Sequence, residues 1–349
     1  MRIGTLKKTG KYVLCFLGVI IMVTAVFLMS CLLMNRKEIK TLKGFQKESP
    51  ANMYSMTYYS DYFLDDYLVR GSTGCRELEA FFKEKLLYGL EAHMEETDKN
   101  CSAFICQNDK GEVLFCRNFD AAFSPVVMLQ TSPTEGYQSI SASNLAELGY
   151  DKSNLPVPED LKLYNINLLA TPYLITDGMN EHGLAMALLS TGTYEAPEIE
   201  GAPTLDQCTV IRMVLDKAKT IDEAIEMMQK YNYNFGKWAI HFMLADAEGR
   251  AVVVEFHDGE LVTIETPIVT NFNLYDINHA GRGKDRYDII EETVEESNGV
   301  LQEKEALELL EKTGMRGMKQ YSVIYNLTTK EVTAFTSGDC SVTASFYLK

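Results

Sequence analysis

The chain has 349 residues, of which 46% are hydrophobic, so it is able to bury a substantial core and is not expected to be disordered. Its net charge of −16 is unevenly distributed, because the first 43 residues hold 8 of the 33 basic residues and 1 of the 49 acidic residues. The acidic remainder would be repelled by phosphate backbones, which argues against a nucleic acid as partner.

The first predicted element is an apolar segment near the N-terminus. Residues 12–34 contain no charged residue, and as a helix they would extend about 34 Å, enough to cross the core of a bilayer. We predict an uncleaved membrane anchor within residues 1–34, with the large body of the chain outside the cytoplasm. A cleaved secretory signal and a lipoprotein signal remain alternatives, the latter because LMSC, which ends at Cys31, resembles a bacterial lipobox.

Residues 35–100 form a distinct stretch, which we interpret as a propeptide or linker. It begins with basic residues and continues through the tyrosine-rich sequence MYSMTYYSDYF. Apolar residues then recur at helical spacing from Leu78 to Leu90, which predicts an amphipathic helix over about 75–93. A packing role is the simpler interpretation of this helix.

From residue 101 onward the pattern is mostly that of strands. The segments SAFIC and VLFCR flank a turn, as do AIHFMLAD and AVVVEF, and LVTIE follows after a further turn. Helices are predicted at 205–217, 221–231, 286–296 and 303–312. Antiparallel strands with segregated helices predict a layered α+β domain over 101–349.

Eight cysteines occur, at positions 15, 31, 75, 101, 106, 116, 208 and 340. They lack both the close pairs of a zinc site and the density of a small disulfide-rich domain. We therefore predict neither a metal nor another cofactor, and the spacing leaves disulfide pairing open.

Cys101 is the candidate nucleophile, because the predicted hairpin returns Arg117 and Asp120 beside it. A thiol attacks a carbonyl as the thiolate and therefore needs a base or a cationic neighbour. Cleavage between Asn100 and Cys101 would supply an α-amine, whose pKa of about 7.7 to 8 suits a proton acceptor. His241 is a second candidate base, as in papain-like proteases, although the sequence that flanks the papain cysteine is absent.

The sequence CSAFICQNDKGEVLFCRNFD, from Cys101 to Asp120, resembles the N-terminal hairpin of the choloylglycine hydrolase and penicillin V acylase family of N-terminal-nucleophile (Ntn) hydrolases. In that family the mature chain begins with cysteine, and Arg117 and Asp120 match its arginine and aspartate without a gap. Further similar segments are TDGMNEHGLAMALL, RMVLDKAKTIDEAIEMM, IVTNFNLYD, KDRYDII and QYSVIYN. The resemblance covers about residues 101–335 and implies a four-layer αββα sandwich.

The resemblance also implies roles for residues far from the hairpin. Asn271 and Arg286 match active-site residues, and the backbone N–H of Ser190 matches a donor to the oxyanion. Both arginines would lie around the nucleophile and be held by Asp120. The chain departs from the family at Cys116, where glycine is usual, and at Ser190, where bile-salt hydrolases have asparagine, so substrate preference stays open.

We therefore expect self-cleavage at Asn100–Cys101, followed by hydrolysis of the linear amide bond of a small molecule. Bile-salt conjugates, N-acyl amino acids, N-acylethanolamines and penicillin V all remain possible substrates. One alternative is an acyltransferase of the isopenicillin N type, in which an amine takes the acyl group. Another is a membrane-tethered binding domain that has lost activity. The sequence predicts no oligomeric state.

Overall fold

The structure is a computed structural model that describes residues 21–22, 36–48, 53–72, 74–92, 94–95, 99–158, 163–276, 281–315, 317–318 and 321–348. Within these ranges no helix is long and apolar enough to cross a membrane. The predicted anchor at 12–34 lies outside the described residues, apart from Ile21 and Met22, and stays a prediction.

The described strands form two large sheets and two short pairs. The nine-stranded sheet has the order β1-β2-β5-β6-β7-β8-β11-β12-β13, and the six-stranded sheet has the order β14-β3-β4-β17-β18-β19. Their bounds are β1 (Gln46–Glu48), β2 (Met53–Tyr58), β3 (Asn100–Gln107), β4 (Val113–Asp120), β5 (Val126–Thr131), β6 (Ser139–Asn144), β7 (Ile175–Asn180), β8 (Ala185–Ser190), β9 (Thr204–Leu205), β10 (Asn232–Tyr233), β11 (Ile240–Ala245), β12 (Ala251–His257), β13 (Glu260–Glu265), β14 (Ile268–Val269), β15 (Asn271–Phe272), β16 (Gly281–Arg282), β17 (Tyr321–Asn326), β18 (Glu331–Thr336) and β19 (Thr343–Tyr347). The three predicted hairpin turns, after SAFIC, AIHFMLAD and AVVVEF, are confirmed by the pairs β3–β4, β11–β12 and β12–β13.

Seven α-helices are described, and four of them are those predicted after residue 200, with ends shifted by a few residues. They are α1 (Arg36–Lys43), α2 (Leu64–Arg70), α3 (Cys75–Phe81), α4 (Gln207–Lys217), α5 (Ile221–Met228), α6 (Lys284–Glu296) and α7 (Glu303–Thr313). A π-helix follows α3 at Phe82–Leu86, and 3₁₀ helices occur at Leu145–Leu148 and Leu163–Tyr173. The helix predicted over 75–93 is therefore shorter than expected. It ends because Tyr88 and Gly89 adopt positive φ values of 53° and 86°, which break a right-handed helix.

The sheets and helices form four layers that enclose three apolar cores. The side chains of β3 point alternately to two of these cores. Cys101 and Ala103 face the core between the two sheets, whereas Phe104 and Cys106 face α6 and α7. The other face of the nine-stranded sheet packs against α4, α5 and the described part of residues 36–92, which we call the N-terminal segment. The order is therefore helix, sheet, sheet, helix, which agrees with the predicted αββα sandwich.

The described part of residues 36–92 belongs to this sandwich. Strand β2 pairs in parallel with β5, so the segment supplies an edge of the nine-stranded sheet. Rings of Tyr62, Tyr67, Phe81 and Phe82 pack around Tyr173 from the body of the chain. Buried aromatic packing of this extent contributes strongly to association. The stretch interpreted as a propeptide or linker thus completes the core on one side of the sheet.

This packing makes a prediction about the cleaved chain. If the chain is cut before Cys101, we expect the two fragments to elute together from a size-exclusion column and to separate on a denaturing gel. The reason is that the contact removes apolar rings of both fragments from water. An uncut Cys101→Ala chain provides the elution volume of the intact assembly. Elution of the 101–349 fragment alone would contradict this.

Candidate active site

The hairpin of β3 and β4 places the candidate nucleophile beside the two residues predicted to accompany it. In the register, Cys101 lies opposite Phe119, Asn100 opposite Asp120, and Ala103 opposite Arg117. Cys101 is fully buried between the sheets. Strand pairing alone therefore brings the Arg117 guanidinium to the same face of the hairpin as the Cys101 thiol, whereas Asp120, opposite Asn100, belongs to the alternate face.

Asn271 and Arg286 join this group from distant parts of the chain. The backbone N–H of Cys101 donates to Oδ1 of Asn271 at 2.8 Å, and Nη2 of Arg286 donates to the same oxygen at 2.7 Å. Nη1 of Arg286 donates to the carbonyl of Cys101 at 2.8 Å. We call these three hydrogen bonds the Cys101 clamp. Gly283 makes room for it, because at φ 90° a Cβ there would lie 2.6 Å from Nη2 of Arg286.

Ser190 connects the clamp to the residue that precedes the predicted cleavage site. The Asn271 amide N–H₂ donates to the carbonyl of Ser190 at 2.6 Å and to its hydroxyl at 3.0 Å. The hydroxyl donates in turn to the carbonyl of Lys99 at 2.6 Å, and Arg282 donates to that carbonyl at 3.1 Å. In the uncut chain the Asn271 amide is thus bonded to Ser190. The roles of Asn271 and of the Ser190 backbone N–H toward an oxyanion stay predictions.

Arg117 has a different carboxylate partner from the one expected. Its Nε lies 3.4 Å from Oδ2 of Asp177, and both side chains are fully buried. Asp177 also accepts hydrogen bonds from the hydroxyls of Tyr321, at 2.7 Å, and Tyr325, at 2.6 Å. Asp120 therefore does not hold both arginines. Asp177 was missed by sequence reasoning, although it lies in the segment TDGMN that contributed to the family resemblance.

Asp120 lies next to Arg286 in an environment that disfavours its charge. Its Oδ1 accepts from the backbone N–H of Met315 at 3.2 Å, and its Oδ2 lies 3.8 Å from Nη1 of Arg286. Within the described ranges, Oδ2 accepts no hydrogen bond. Burial raises the pKa of Asp120 to about 6, despite the hydrogen bond and the nearby arginines.

The thiol of Cys101 is held mainly in its neutral form in the uncut chain. Burial raises the pKa of Cys101, and the charge of Arg117 opposes this shift without cancelling it. Asp120 raises the thiol pKa further, whereas Arg286 lowers it. The thiol therefore needs a proton acceptor close to it before it becomes an effective nucleophile.

His241 does not serve as that acceptor. Its Nδ1 lies 2.9 Å from Oε1 of Glu255 and its Nε2 lies 2.8 Å from the carbonyl of Thr270, so both ring nitrogens already have partners. Burial is the largest influence on the pKa of Glu255 and would raise it, but the hydrogen bond and charge of His241, together with backbone hydrogen bonds from Leu274 and Tyr275, lower that pKa. The pair supports the chain at Thr270, immediately before Asn271. The papain-like alternative is therefore wrong, and His241 has a structural role.

Three further cysteines whose side chains the structure describes form no disulfide. They are Cys106, Cys116 and Cys340, and Cys101 is likewise not part of a disulfide. Cys116, at the position that departs from the family, packs in the core between the six-stranded sheet and the outer helices. In the described parts of the chain, no three His, Cys, Asp or Glu side chains form a group that could hold a metal ion.

Comparison with known proteins gives a family match and several structural similarities. Residues 106–306 match the family described as acyl-coenzyme A:6-aminopenicillanic acid acyl-transferase. A variant of conjugated bile acid hydrolase from Clostridium perfringens has 14% identity and a TM-score of 0.50, with 71% of this chain and 92% of that chain covered. Penicillin V acylase from Agrobacterium tumefaciens has 18% identity and a TM-score of 0.46, with 68% and 83% covered. No curated protein matches. At these identities the similarity to the hydrolase supports the fold alone.

The buried carboxylate of Asp120 makes a prediction about stability. Because the pKa of Asp120 is raised in the folded state, its ionisation opposes folding in full above about pH 6. The effect declines as the pH falls toward about 4 and vanishes well below pH 4, where both the folded and the unfolded state are protonated. In an uncut Cys101→Ala background, we expect Asp120→Asn to raise the free energy of unfolding by up to about 3 kcal/mol at pH 7.5 and by less at pH 5.

Urea denaturation at the two pH values provides the measurement. The exposed Asp288→Asn change, in a surface pair with Lys284, is the matched control and should change stability by less than about 1 kcal/mol. A loss of stability on Asp120→Asn at pH 7.5, or the same gain at both pH values, would show that ionised Asp120 is well solvated or well paired.

Proposed function

The chain belongs to the acyl-coenzyme A:6-aminopenicillanic acid acyl-transferase family, and we propose that it is an Ntn amidohydrolase that activates itself. The match covers more than half of the chain and agrees with the family resemblance inferred from its sequence. The proposed enzyme cuts its own chain between Asn100 and Cys101 and then hydrolyses linear carbon–nitrogen amide bonds through a thioester on Cys101.

The Cys101 clamp is the observation that supports this proposal most directly. The N–H of Cys101 donates to a side-chain oxygen of Asn271, which is an acceptor that an α-amine at the same position would also use. Arg286 holds that oxygen and the Cys101 carbonyl in place. The site is thus already built around the nitrogen that cleavage would release, and this nitrogen belongs to the same residue as the thiol.

Self-cleavage follows from an attack within the chain. The sulfur of Cys101 bonds to the carbonyl carbon of Asn100, the bond from that carbon to the Cys101 nitrogen breaks, and the thiol proton ends on the nitrogen. Water then hydrolyses the thioester, which releases the Asn100 carboxylate and restores the thiol. Fixation of the Lys99 carbonyl by Ser190 and Arg282 supports this step, because it orients the peptide next to the scissile bond.

In the mature enzyme, the α-amine accepts the thiol proton and the sulfur attacks the amide carbonyl of the substrate. The same amine then protonates the departing amine product, and water hydrolyses the remaining thioester. Arg117 favours the thiolate by its charge. We assign the oxyanion to the Asn271 amide and the Ser190 backbone N–H, after Asn271 exchanges its bond to Ser190 for one to substrate. Removal of one such donor typically costs about 3 to 4 kcal/mol.

We also propose that the enzyme works at a membrane, outside the cytoplasm. The predicted anchor at 12–34 precedes α1, which lies in the described segment that packs into the sandwich. A cleaved N-terminal fragment that stays bound would hold the catalytic fragment at the bilayer without a covalent link.

The central prediction concerns the cut itself. We expect intact mass spectrometry of the purified protein to detect a 249-residue species that begins at Cys101, and we expect Cys101→Ala to abolish it. Cys106→Ala is the matched control, because that cysteine lies on the same strand and faces the opposite core. An uncut chain that nevertheless hydrolyses amides would exclude this mechanism, and an uncut, inactive chain would favour the binding domain.

Acyl transfer is the second candidate, and the description of the matching family favours it. Both reactions share the thioester and differ in whether water or an amine resolves it. We expect phenoxyacetyl-amide hydrolysis to yield mainly the free acid, even when 6-aminopenicillanic acid is added. Product analysis by liquid chromatography distinguishes the candidates, since formation of a new penicillin amide as the main product would establish transfer.

A further inference from the structure

A buried ion pair involves Lys99, the residue that precedes Asn100 of the scissile bond. Nζ of Lys99 is 2.6 Å from Oε1 of Glu147, and the two side chains are only 4% and 6% exposed. Burial is the largest influence on the pKa of Lys99 and would lower it, but the charge and hydrogen bond of Glu147, together with the nearby thiols of Cys208 and Cys101, raise that pKa. Removal of one partner from an ion pair withdrawn from water in this way is costly, because the other buried charge then loses the counter-charge 2.6 Å away.

The pair lies at a small cavity between the N-terminal segment and the body of the chain. The cavity has a volume of about 50 Å³ and is lined by Lys99, Glu147 and the apolar side chains of Leu78, Phe235 and Trp238. The lining combines these apolar side chains, which suit a methylene chain, with three acidic residues, Glu95, Glu147 and Asp206, which suit a cation. Lys99 lies at the wall of the cavity, and its ammonium group contacts Glu147.

The chemistry of self-cleavage tells which half of a substrate this site would receive. In that reaction the carbonyl of Asn100 is the acyl group that Cys101 attacks, so Lys99 lies on the acyl side. An amide substrate attacked by the same sulfur places its acyl carbonyl at the same point. Its acyl chain would then follow the path that Asn100 and Lys99 occupy in the uncut chain. Ser190 and Arg282, which hold the Lys99 carbonyl, would hold a second carbonyl of that chain.

We propose that, in the cleaved enzyme, Glu147 binds a cationic group on the acyl part of the substrate. Lys99 of the uncut chain occupies the position of that group. The preferred acyl chain ends in a primary ammonium on a flexible aliphatic arm, and lysine-type acyl groups are the simplest example. This inference rests on the proposed function, since it requires that the site takes an amide after cleavage.

Two chromogenic amides that differ only in the side-chain ammonium group test the proposal. They are lysyl-asparaginyl-4-nitroanilide, which reproduces residues 99 and 100, and its norleucyl counterpart, which lacks the charged group. With the processed full chain, we expect a kcat/KM about 10-fold or more higher for the lysyl amide. The preference should fall to within about 2-fold in Glu147→Gln. It should persist in Glu295→Gln, a matched change at an exposed position on α6.

A binding measurement keeps the test independent of turnover. The two cleavage products, lysyl-asparagine and norleucyl-asparagine, are titrated into the processed chain by calorimetry. Tighter binding of the lysyl peptide that is lost in Glu147→Gln supports the site, even if neither amide is hydrolysed. Absence of hydrolysis of both amides would count against the proposed hydrolysis and not against the site. Equal binding of both peptides would overturn the site, whether because Glu147 does not read the charge or because Lys99 stays in place after cleavage.

The single change Glu147→Gln leaves Lys99 buried without its partner, which can prevent folding or self-cleavage. In that case the double variant Lys99→Met with Glu147→Gln provides the measurement, because it removes both charges and keeps the apolar volume. The same loss of preference is expected from it. Persistence of the full preference for the lysyl amide in the double variant would overturn the proposal.

Discussion

The structure depends on one constraint, which is that the backbone nitrogen of Cys101 is held by side chains. Asn271 accepts from this nitrogen, and Arg286 fixes both the Asn271 oxygen and the Cys101 carbonyl. An ordinary ladder bond would commit this nitrogen to a backbone carbonyl of a neighbouring strand. Here the nitrogen faces a side-chain acceptor, so a cut before Cys101 would change its chemistry without removing its partner.

The charges around this nitrogen are arranged so that each buried arginine has its own acid. Arg117 pairs with Asp177 of the facing sheet, whereas Arg286 lies near Asp120. A buried charge without a partner is costly, so this separation allows two cations to stay close to one sulfur. The raised pKa of Asp120 shows that its compensation is incomplete, which is common where function rather than stability determines the environment.

The N-terminal segment connects the stability of the fold to the state of the site. Its aromatic side chains complete the core against the nine-stranded sheet, and its last residues, Lys99 and Asn100, are nearly inaccessible to solvent. The uncut chain therefore fills its own site with a peptide whose lysine reaches Glu147. Under the proposed function, this one contact region would affect self-cleavage, retention of the N-terminal fragment and selection of the acyl group.

The sequence by itself determined the hairpin and the neighbours of Cys101, because strand pairing follows from local alternation and a turn, and it places Arg117 and Asp120 by register. The family resemblance added Asn271 and Arg286 through the segments that contain them. Only the tertiary structure decided that Asp177 neutralises Arg117, that His241 is structural and that Glu147 faces Lys99. These are contacts between residues remote in sequence. Which buried charges meet is decided by how the two sheets stack, and no periodicity or spacing along the chain records that.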